Sequence, residues 1–383
     1  MSEKTYDFAI VGAGAAGLQL AMAIADDPFF SEKQILIIEK DPKVANDRTW
    51  CFWEKGRGRW DDIIHRSWEK AAFNTDDSCR NLDLSSYSYK MLRASDFYAH
   101  TKSVLQDNPA FTWVQDEVHM ISGAQPMKIE GEQTYQAHIV FDSRVHPDFY
   151  KESDSYIRLL QHFTGWVIET EEEVFDPETF TMMDFRVKWP DSTSFTYILP
   201  FSKTRALVEF TLFSPALLAE NQYEQMLKQY IAECLNLSNY KITELEQGII
   251  PMSDYPFHRL NTPSHIRIGT GGGWVKPSSG YSFKNSGRNV VHIISNLKNG
   301  RNPAAGIGSN KFRFYDGVFL EVLYHRNELG EEIFNDMYSK NPPERIFRFL
   351  DEETSLSDDL KVITSFRSGP FISALGRLVS RLF

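Results

Sequence analysis

Residues 8–25 read FAIVGAGAAGLQLAMAIA, and this stretch decides the fold. The apolar run Phe8–Val11 is typical of a strand, and the Ala- and Leu-rich run Leu18–Ala25 predicts a helix after the glycine-rich turn. A second apolar run, Ile35–Ile38, predicts the next strand and is followed by Glu39. Strand, turn, helix and strand form a βαβ unit, whose second strand we expect to be buried on both faces.

The turn has the G-x-G-x-x-G spacing of a dinucleotide-binding site. Gly12 permits the tight turn, Gly14 lets the backbone approach a pyrophosphate, and Gly17 allows the helix to pack closely on the strand. The helix N-terminus offers unpaired N–H groups to the phosphates. Glu39, 22 positions after Gly17, is expected to accept hydrogen bonds from the ribose hydroxyls. The predicted dinucleotide site also includes Ala13, Ala16 and Lys40. The alternative is a glycine-rich turn that binds no ligand.

A second glycine-rich segment lies late in the chain. The run Ile266–Thr270 predicts a strand that leads into Gly271–Gly273. The segment resembles the late flavin-facing loop of FAD-dependent monooxygenases and reductases, with Thr270 where that superfamily usually has Asp. This resemblance favours FAD over NAD, whereas a flexible loop without a ligand is the alternative. The further residues that we assign to the flavin are Arg48, Arg93, Gly269, Gly271, Pro277, Gly280 and Tyr281.

The composition excludes several classes of protein. The chain has 8 Trp, 16 Tyr and 28 Phe, and 42% of its 383 residues are hydrophobic, so it is not intrinsically disordered. A net charge of −11 argues against nucleic acid as the partner, because phosphate binding needs clustered Lys and Arg. Cysteine and histidine spacings match no zinc site, so we predict no metal. Four tryptophans within 19 residues either line a hydrocarbon channel or fill a core: Trp50, Trp53, Trp60 and Trp68.

The middle of the chain has a different pattern. Short runs at Trp166–Ile168, Thr179–Val187, Phe195–Phe201 and Ala206–Leu212 predict an antiparallel sheet. We therefore expect an α/β protein: a Rossmann-like FAD/NAD(P)-binding domain with an inserted antiparallel β-sheet substrate domain and a helical C-terminal region. The predicted domains are residues 1–75, 91–145 and 262–300 for the FAD, 76–90 and 146–261 for the substrate, and 301–383 for the helical region.

Several blocks in order along the chain point to one family. Asn46–Trp53 reads NDRTWCFW and resembles a block of the lycopene cyclases, flavoproteins that close the ends of linear carotenoids into rings. Met183–Arg186 resembles the family's Met-Asp-x-Arg block, and Leu207–Thr211 resembles its Glu-x-Thr signature. Lys276–Ser282 resembles its Pro-x-Thr-Gly-Tyr-Ser loop, with Ser279 in place of Thr. The resemblance covers nearly the whole chain and favours bacterial-type lycopene β-cyclases.

This resemblance implies an acid–base reaction without net redox change. A terminal double bond of lycopene is protonated, the neighbouring double bond attacks the cation, and a ring proton is lost, which gives β-ionone rings. The resemblance also implies bound FAD in its reduced form, with NAD(P)H as the reductant. One alternative is a redox flavoenzyme of the same superfamily, either an isoprenoid reductase or an FAD-dependent hydroxylase. A non-enzymatic flavoprotein that binds FAD and a lipid is another.

Glu209 is the residue that we expect to carry the acid–base chemistry. Strand alternation places Glu209 and Thr211 on one face of the predicted sheet. Alternation alone would leave that face in water. The family resemblance instead identifies Glu209 as the essential Glu. Asp184 and Arg186, at i and i+2, are expected to share a strand face and to hold the charge of the site or contact the flavin; a surface ion pair is the alternative.

The C-terminal segment Phe371–Phe383 has apolar residues at helical spacing, with Arg377 and Arg381 on the other side. It predicts an amphipathic helix on a membrane surface, and docking on the protein body is the alternative. A substrate that resides in lipid favours the membrane. Met1–Tyr6 is polar and no run approaches 18 apolar residues, so we expect a cytoplasmic protein, peripheral on the inner face of the membrane.

Overall fold

A computed structural model describes residues 4–151, 153, 155–308 and 310–382. The strands in these residues are β1 Thr5–Val11, β2 Ile35–Glu39, β3 Thr49–Lys55, β4 Arg66–Trp68, β5 Lys70–Asn74, β6 Cys79–Asp83, β7 Tyr87–Arg93, β8 Phe111–Gln115, β9 Met120–Ser122, β10 Met127–Glu130, β11 Thr134–Asp142, β12 Arg158–Glu169, β13 Thr179–Asp184, β14 Thr193–Ser202, β15 Arg205–Ser214, β16 Lys241–Ser253 and β17 His265–Arg267. The α-helices are α1 Ala15–Asp26, α2 Ala94–Gln106, α3 Glu220–Glu233, α4 Phe283–Lys298, α5 Asn310–His325, α6 Gly330–Lys340, α7 Pro343–Leu350, α8 Leu356–Ile363 and α9 Ser368–Leu382.

The first sheet is the predicted nucleotide-binding sheet. Its strand order is β8-β2-β1-β11-β10-β9, with β17 on β11, and β1 runs parallel to β2 and to β11. Every residue of β2 is buried, because Ile35 and Ile37 pack against helices and Leu36 and Ile38 pack in a second core with Met127 and Ile129 of β10. The predicted βαβ unit is confirmed as β1, α1 and β2, and α1 packs against α4.

The second sheet, which we call the substrate sheet, has the order β16-β12-β15-β14-β13-β5-β6. Its strands from β16 to β13 pair antiparallel, as the predicted inserted sheet requires. One face, with Val208 and Phe210, packs against Tyr223 and Leu227 of α3. Strand β5 pairs with β13 and β6 in this sheet, so the predicted domain boundary at residue 75 falls between β5 and β6.

The other face of the substrate sheet is covered by the C-terminal helices. Phe195 and Phe213 of the sheet lie in one core with Leu320, Phe334 and Phe347 of α5, α6 and α7. A smaller sheet, β3-β7-β4, lies beside this core. These parts confirm the predicted fold class. Among the described helices, none combines the length and the apolar character needed to cross a membrane.

The arginines of α9 form ion pairs with carboxylates of the protein body. Arg377 is 3.2 Å from Glu321 of α5, and Arg381 is 2.6 Å from Asp254 and 3.0 Å from Glu321. Glu321 is buried, so it attracts both guanidinium groups to the protein body. The basic side of α9 is therefore occupied by ion pairs.

The apolar residues of α9 divide between the body and the surface. Ala374 and Leu378 are buried, whereas Ile372, Leu375 and Val379 are 66%, 39% and 42% exposed. The helix therefore docks on the body, as the alternative predicts, and it also presents an apolar stripe; its binding to a membrane stays a prediction. The Leu382 side chain and Phe383 lie outside the described residues.

Candidate active site

A cavity of about 1420 Å³ connects the first sheet with the substrate sheet. Its lining includes the start of α1, the segment 278–283, part of the substrate-sheet face that packs against the C-terminal helices, and side chains from α5, α6 and α9. Ligand pockets usually measure roughly 300–1,000 Å³. The cavity therefore has room for a cofactor at one end and a long apolar ligand at the other.

The cofactor end begins at the glycine-rich turn. Gly12 has a φ of +98°, and a Cβ on Gly17 would lie 2.1 Å from the Gly12 carbonyl oxygen, so the packing of the protein itself requires both glycines. A Cβ on Gly14 would meet no atom within 4 Å, because Gly14 borders the cavity. Helix α1 has no side-chain cap and no acidic residue in its first turn. Its free N–H groups can therefore bind a phosphate.

Glu39 holds the glycine-rich turn in place. One carboxylate oxygen accepts a hydrogen bond from the Ala13 N–H at 2.6 Å, and the other accepts one from the Asp41 N–H at 3.0 Å. Glu39 is buried and does not line the cavity. Its predicted bond to a ribose therefore stays a prediction, whereas its support of the turn is visible in the structure.

Two buried polar atoms in the cavity wall have no hydrogen-bond partner among the described residues: Ser279 Oγ and Gln161 Oε1. Both lie beside Gly280, which has a φ of +73°. Buried polar atoms without partners are rare in folded proteins. Together with the free N–H groups of α1, they fit a large polar cofactor such as a flavin.

The structure divides the predicted cofactor residues into two groups. Those that line the cavity are Gly14, Ala16, Gly17, Arg48, Gly269, Gly280 and Tyr281. Those that do not line it are Gly12, Ala13, Glu39, Lys40, Arg93, Gly271 and Pro277. Arg93 instead pairs with Glu244 at 2.7 Å. A Cβ on Gly271 would lie 2.3 Å from the Arg144 carbonyl oxygen, so Gly271 is required for packing behind the wall.

Glu209 lines the part of the cavity that the substrate sheet forms, on β15, and we call this part the catalytic end. It is directly opposite Tyr197 of β14 and Gly165 of β12, and it is 9% exposed. The Thr211 hydroxyl donates to its carboxylate at 2.8 Å. Burial raises the pKa of Glu209 to about 8, and the nearby charge of Glu246 adds to the rise. Glu209 can therefore hold a proton at neutral pH.

Sequence analysis missed the second carboxylate, Glu246. It lies on β16, lines the cavity and accepts a hydrogen bond from the Thr49 hydroxyl at 2.8 Å. Burial raises the pKa of Glu246 as well. The run 241–253 lacks regular alternation of apolar and polar residues, so β16 is not predicted. The two-residue spacing of Glu244 and Glu246 is the one local hint of a strand face.

Three tyrosine hydroxyls meet beside Glu209. Tyr197 donates to the Tyr89 oxygen at 2.9 Å, and the Tyr89 and Tyr281 oxygens are 3.0 Å apart. Burial raises the pKa of all three phenols, so they stay neutral. Neutral aromatic rings attract cations without acting as nucleophiles. Tyr281, predicted to contact the flavin, thus also belongs to the catalytic end.

Asp184 and Arg186 do not line the cavity, and Arg186 lies beyond the end of β13. Asp184 is fully buried and accepts hydrogen bonds from Arg186 at 2.6 Å, Tyr230 at 2.7 Å and Asn74 at 2.9 Å. Burial alone would raise the pKa of Asp184, but these hydrogen bonds outweigh it and lower the pKa. The pair links β13 to α3, so the structure does not bring it to Glu209.

The four clustered tryptophans separate in the structure. Trp50 lines the cavity and stacks on Phe283 at 5.4 Å between ring centroids. Trp53, Trp60 and Trp68 are buried in the cores and do not line it. The core interpretation is therefore confirmed for Trp53, Trp60 and Trp68, whereas the channel interpretation of Trp50 stays a prediction.

Comparison with known proteins agrees with this geometry. The profile of the family described as "Lycopene cyclase protein" matches residues 7–375. The chain is 26% identical to the chloroplastic lycopene beta cyclase of Arabidopsis thaliana over 355 residues, which is 88% of this chain and 66% of the relative. The curated relatives that it matches are longer, and the chain spans 60% to 66% of their length.

Solved structures share the fold. A geranylgeranyl bacteriochlorophyll reductase-like protein from Thermoplasma acidophilum has a TM-score of 0.61 at 13% identity, over 99% of both chains. A mutant of halogenase PltM in complex with FAD has a TM-score of 0.59 at 10% identity, over 99% of this chain and 92% of the other. At these identities the likeness shows the fold, that of FAD-binding oxidoreductases. The family profile covers nearly the whole chain, and the chain therefore belongs to the lycopene cyclase family.

Proposed function

We propose that this protein is a lycopene β-cyclase, which closes the linear ends of lycopene into β-ionone rings to give γ-carotene and β-carotene. The observation that carries the proposal is Glu209, a buried carboxyl with a raised pKa inside a cavity lined by aromatic and apolar residues. Protonation of an alkene needs such an acid in a dry site, because water would capture the cation. The similarity to plant lycopene beta cyclases supports this substrate.

In the proposed reaction Glu209 donates its proton to the terminal double bond. The neighbouring double bond attacks the tertiary cation and closes the ring. A ring proton then returns to the Glu209 carboxylate, so the product is an isomer of the substrate. The rings of Tyr89, Tyr197 and Tyr281 lie beside Glu209 and stabilise the positive charge.

The cofactor proposed for the other end of the cavity is FAD in its reduced form, with NAD(P)H as the reductant. The N–H groups at the start of α1, Arg48, Gln161 and Ser279 would hold it. When bound, reduced FAD supplies negative charge beside the substrate. The residues of the chain then exclude water and move the proton.

Expression in a lycopene-accumulating bacterium, followed by pigment analysis, tests the proposal. We expect cyclic carotenoids of unchanged mass, and the purified protein with reduced FAD should consume no NAD(P)H in proportion to product. A reductase or a hydroxylase would change the mass of the substrate and consume one NAD(P)H per product. Unchanged lycopene, despite correct folding and FAD loading, would exclude the cyclase.

We also propose that the protein is cytoplasmic and binds the inner face of the membrane through α9. Ile372 and Leu375 are exposed and also line the cavity, so lipid contact there would lead the substrate to the site. The double variant Ile372→Glu and Val379→Glu should lose co-sedimentation with lipid vesicles. Val291→Glu, at a residue 68% exposed on α4, is the matched control. Equal co-sedimentation of both variants would contradict the membrane proposal.

A further inference from the structure

One cross-strand row of the substrate sheet holds two carboxylates with a glycine between them. Gly165 of β12 is directly opposite Glu209 of β15 on one side and Glu246 of β16 on the other. Residues directly opposite one another point to the same face of a sheet. Both carboxylates therefore face the cavity, and both line it. Neighbouring strands lie about 4.8 Å apart, which separates the backbones of Glu209 and Glu246 by roughly 10 Å.

Gly165 leaves the space that Glu209 occupies. A Cβ on Gly165 would lie 2.9 Å from Leu207 Cδ1, 3.2 Å from Glu209 Cβ and 3.4 Å from Glu209 Cγ. The Glu209 side chain thus lies over Gly165, on the side of β16. A larger residue at position 165 would force Glu209 away from Glu246.

The two carboxylates have different surroundings. Glu246 accepts the hydrogen bond from Thr49, and the positive charges of Arg48 and Arg93 act against the burial that raises its pKa. Glu209 has the Thr211 hydroxyl and the neighbouring charge of Glu246. The negative charge is therefore better stabilised on Glu246, and the proton is better held on Glu209.

Other titratable groups face the pair from the surrounding elements. Burial raises the pKa of Cys51 on β3 to about 12. The phenols of Tyr89, Tyr197 and Tyr281 have raised pKa values as well, so these groups stay neutral between about pH 5 and 10. Glu244, two residues along β16, pairs with Arg93 and Arg205, each at 2.7 Å. Burial lowers the pKa of His65, an imidazole near Arg93 and Glu244. Among the groups that face the cavity here, the carboxylate pair is therefore the one that titrates in this range.

We propose that Glu246 is a positioning residue for ring closure, because the pair shares one proton with Glu209 protonated and Glu246 charged. This inference rests on the proposed function. When Glu209 gives up its proton, its O–H bond breaks and a C–H bond forms on the substrate, and two carboxylates then face the cation. Loss of the ring proton breaks a C–H bond and re-forms the O–H bond. No oxidant or reductant is consumed.

The variant Glu246→Gln tests the pair. It removes the charge that helps to keep Glu209 protonated, so the alkaline limb of the pH profile of kcat/KM should move to lower pH by about one unit, a tenfold change in proton affinity. Infrared titration of the protonated carboxyl band, with isotopically labelled glutamate, measures the same midpoint without catalysis. Glu171→Gln, at an exposed residue in a turn, is the control and should leave the midpoint unchanged.

A purely structural role for Glu246 predicts a different result. Activity would fall at every pH while the midpoint stayed where it is, and that result would overturn the proposal. Glu246→Asp keeps the charge and should restore the wild-type midpoint. The wild-type protein itself should show two separate carboxyl titration steps in the infrared spectrum. A single step would also overturn the proposal that the two carboxylates share a proton. This test does not depend on the folding of the Gln variant. The infrared result stands if lycopene is not the substrate, which separates a failure of this inference from a failure of the proposed function.

Discussion

The two ends of the cavity are built in different ways. The phosphate-binding part of the cofactor end uses backbone N–H groups and glycines from the continuous stretch 12–17. The catalytic end uses the side chains of Tyr197, Glu209 and Glu246, which lie on three strands in one row with Gly165 of a fourth. Backbone geometry is fixed by a few neighbouring residues, whereas a cross-strand row depends on the register of the whole sheet. The glycine-rich turn can therefore be predicted from its local sequence, whereas the cross-strand row cannot.

The chemistry of the two ends also differs. The described groups at the cofactor end are backbone N–H donors, neutral polar atoms and the Arg48 guanidinium, and ligand binding by these groups does not depend on proton uptake. The catalytic end holds buried carboxyls with raised pKa values, so its activity depends on pH. Substitutions should therefore disable one end and leave the other intact.

Glu209→Gln should give the largest effect and should break the catalytic end alone. We expect cyclisation to fall by about 10²- to 10⁴-fold, because general acid–base catalysis typically contributes that much. FAD binding should not change, because Glu209 is not among the groups proposed to hold the FAD. Pigment analysis and flavin absorbance of the purified variant measure the two results, with Glu171→Gln as the control. Full cyclisation by the Gln variant would remove Glu209 from the mechanism.

Gly14→Ala is the converse experiment, because it should break the cofactor end alone. The added Cβ meets no protein atom within 4 Å, so the fold should persist, but the methyl group occupies the space beside the cavity. Overpacking a close contact costs about 1–3 kcal/mol, which weakens FAD binding by about 10- to 100-fold. Gly376→Ala, whose Cβ also meets open space, is the matched control in a flavin titration. Equal FAD affinity for both variants would contradict the assignment.

Asp184→Asn sharpens the comparison, because the sequence placed Asp184 in the active site and the structure places it outside the cavity. We expect a loss of stability of about 1–3 kcal/mol from the weakened hydrogen bonds, with an unchanged pH profile of activity. Folding lowers the pKa of Asp184, so its ionised carboxylate stabilises the folded state at pH values above the ordinary Asp pKa. This stabilisation is lost as the pH falls through the lowered pKa. The difference in Tm from wild type should therefore shrink in acid. Asp77→Asn, at an exposed residue, is the control, and a shifted activity profile would return Asp184 to the site.

Thr211→Val should give the smallest effect and a shift of opposite sign to that of Glu246→Gln. The Thr211 hydroxyl stabilises the charged form of Glu209, so its loss should raise the Glu209 pKa further. The alkaline limb should move to higher pH by about half a unit to one unit. Thr196→Val is the matched control, because the buried Thr196 hydroxyl has no hydrogen-bond partner among the described residues and Thr196 does not line the cavity. A shift to lower pH in Thr211→Val would refute the assigned hydrogen bond.

Much of the fold was predictable because its signals are local. The apolar runs at residues 8–11 and 35–38 predicted β1 and β2, and the runs in the middle of the chain predicted β12 to β15. Each of these strands can be recognised from the residues within it. Edge strand β16 was not predicted, because its exposed residues Ile242, Leu245 and Ile249 are apolar. The run therefore lacks the regular alternation of apolar and polar residues that indicates a strand. Glu209 was singled out through a family resemblance, because alternation alone would have left it in water.

The sequence by itself determined the βαβ unit, the glycine positions of the cofactor end and the choice of Glu209. The tertiary structure alone decided that Glu246, 37 positions later, lies in the same row as Glu209, and that Asp184 does not. It also decided that Arg377 and Arg381 of α9 pair with Glu321 of α5. A glycine's conformation follows from its own covalent structure, whereas the pKa and the partner of a charged side chain follow from burial and register, which distant segments create when they pack.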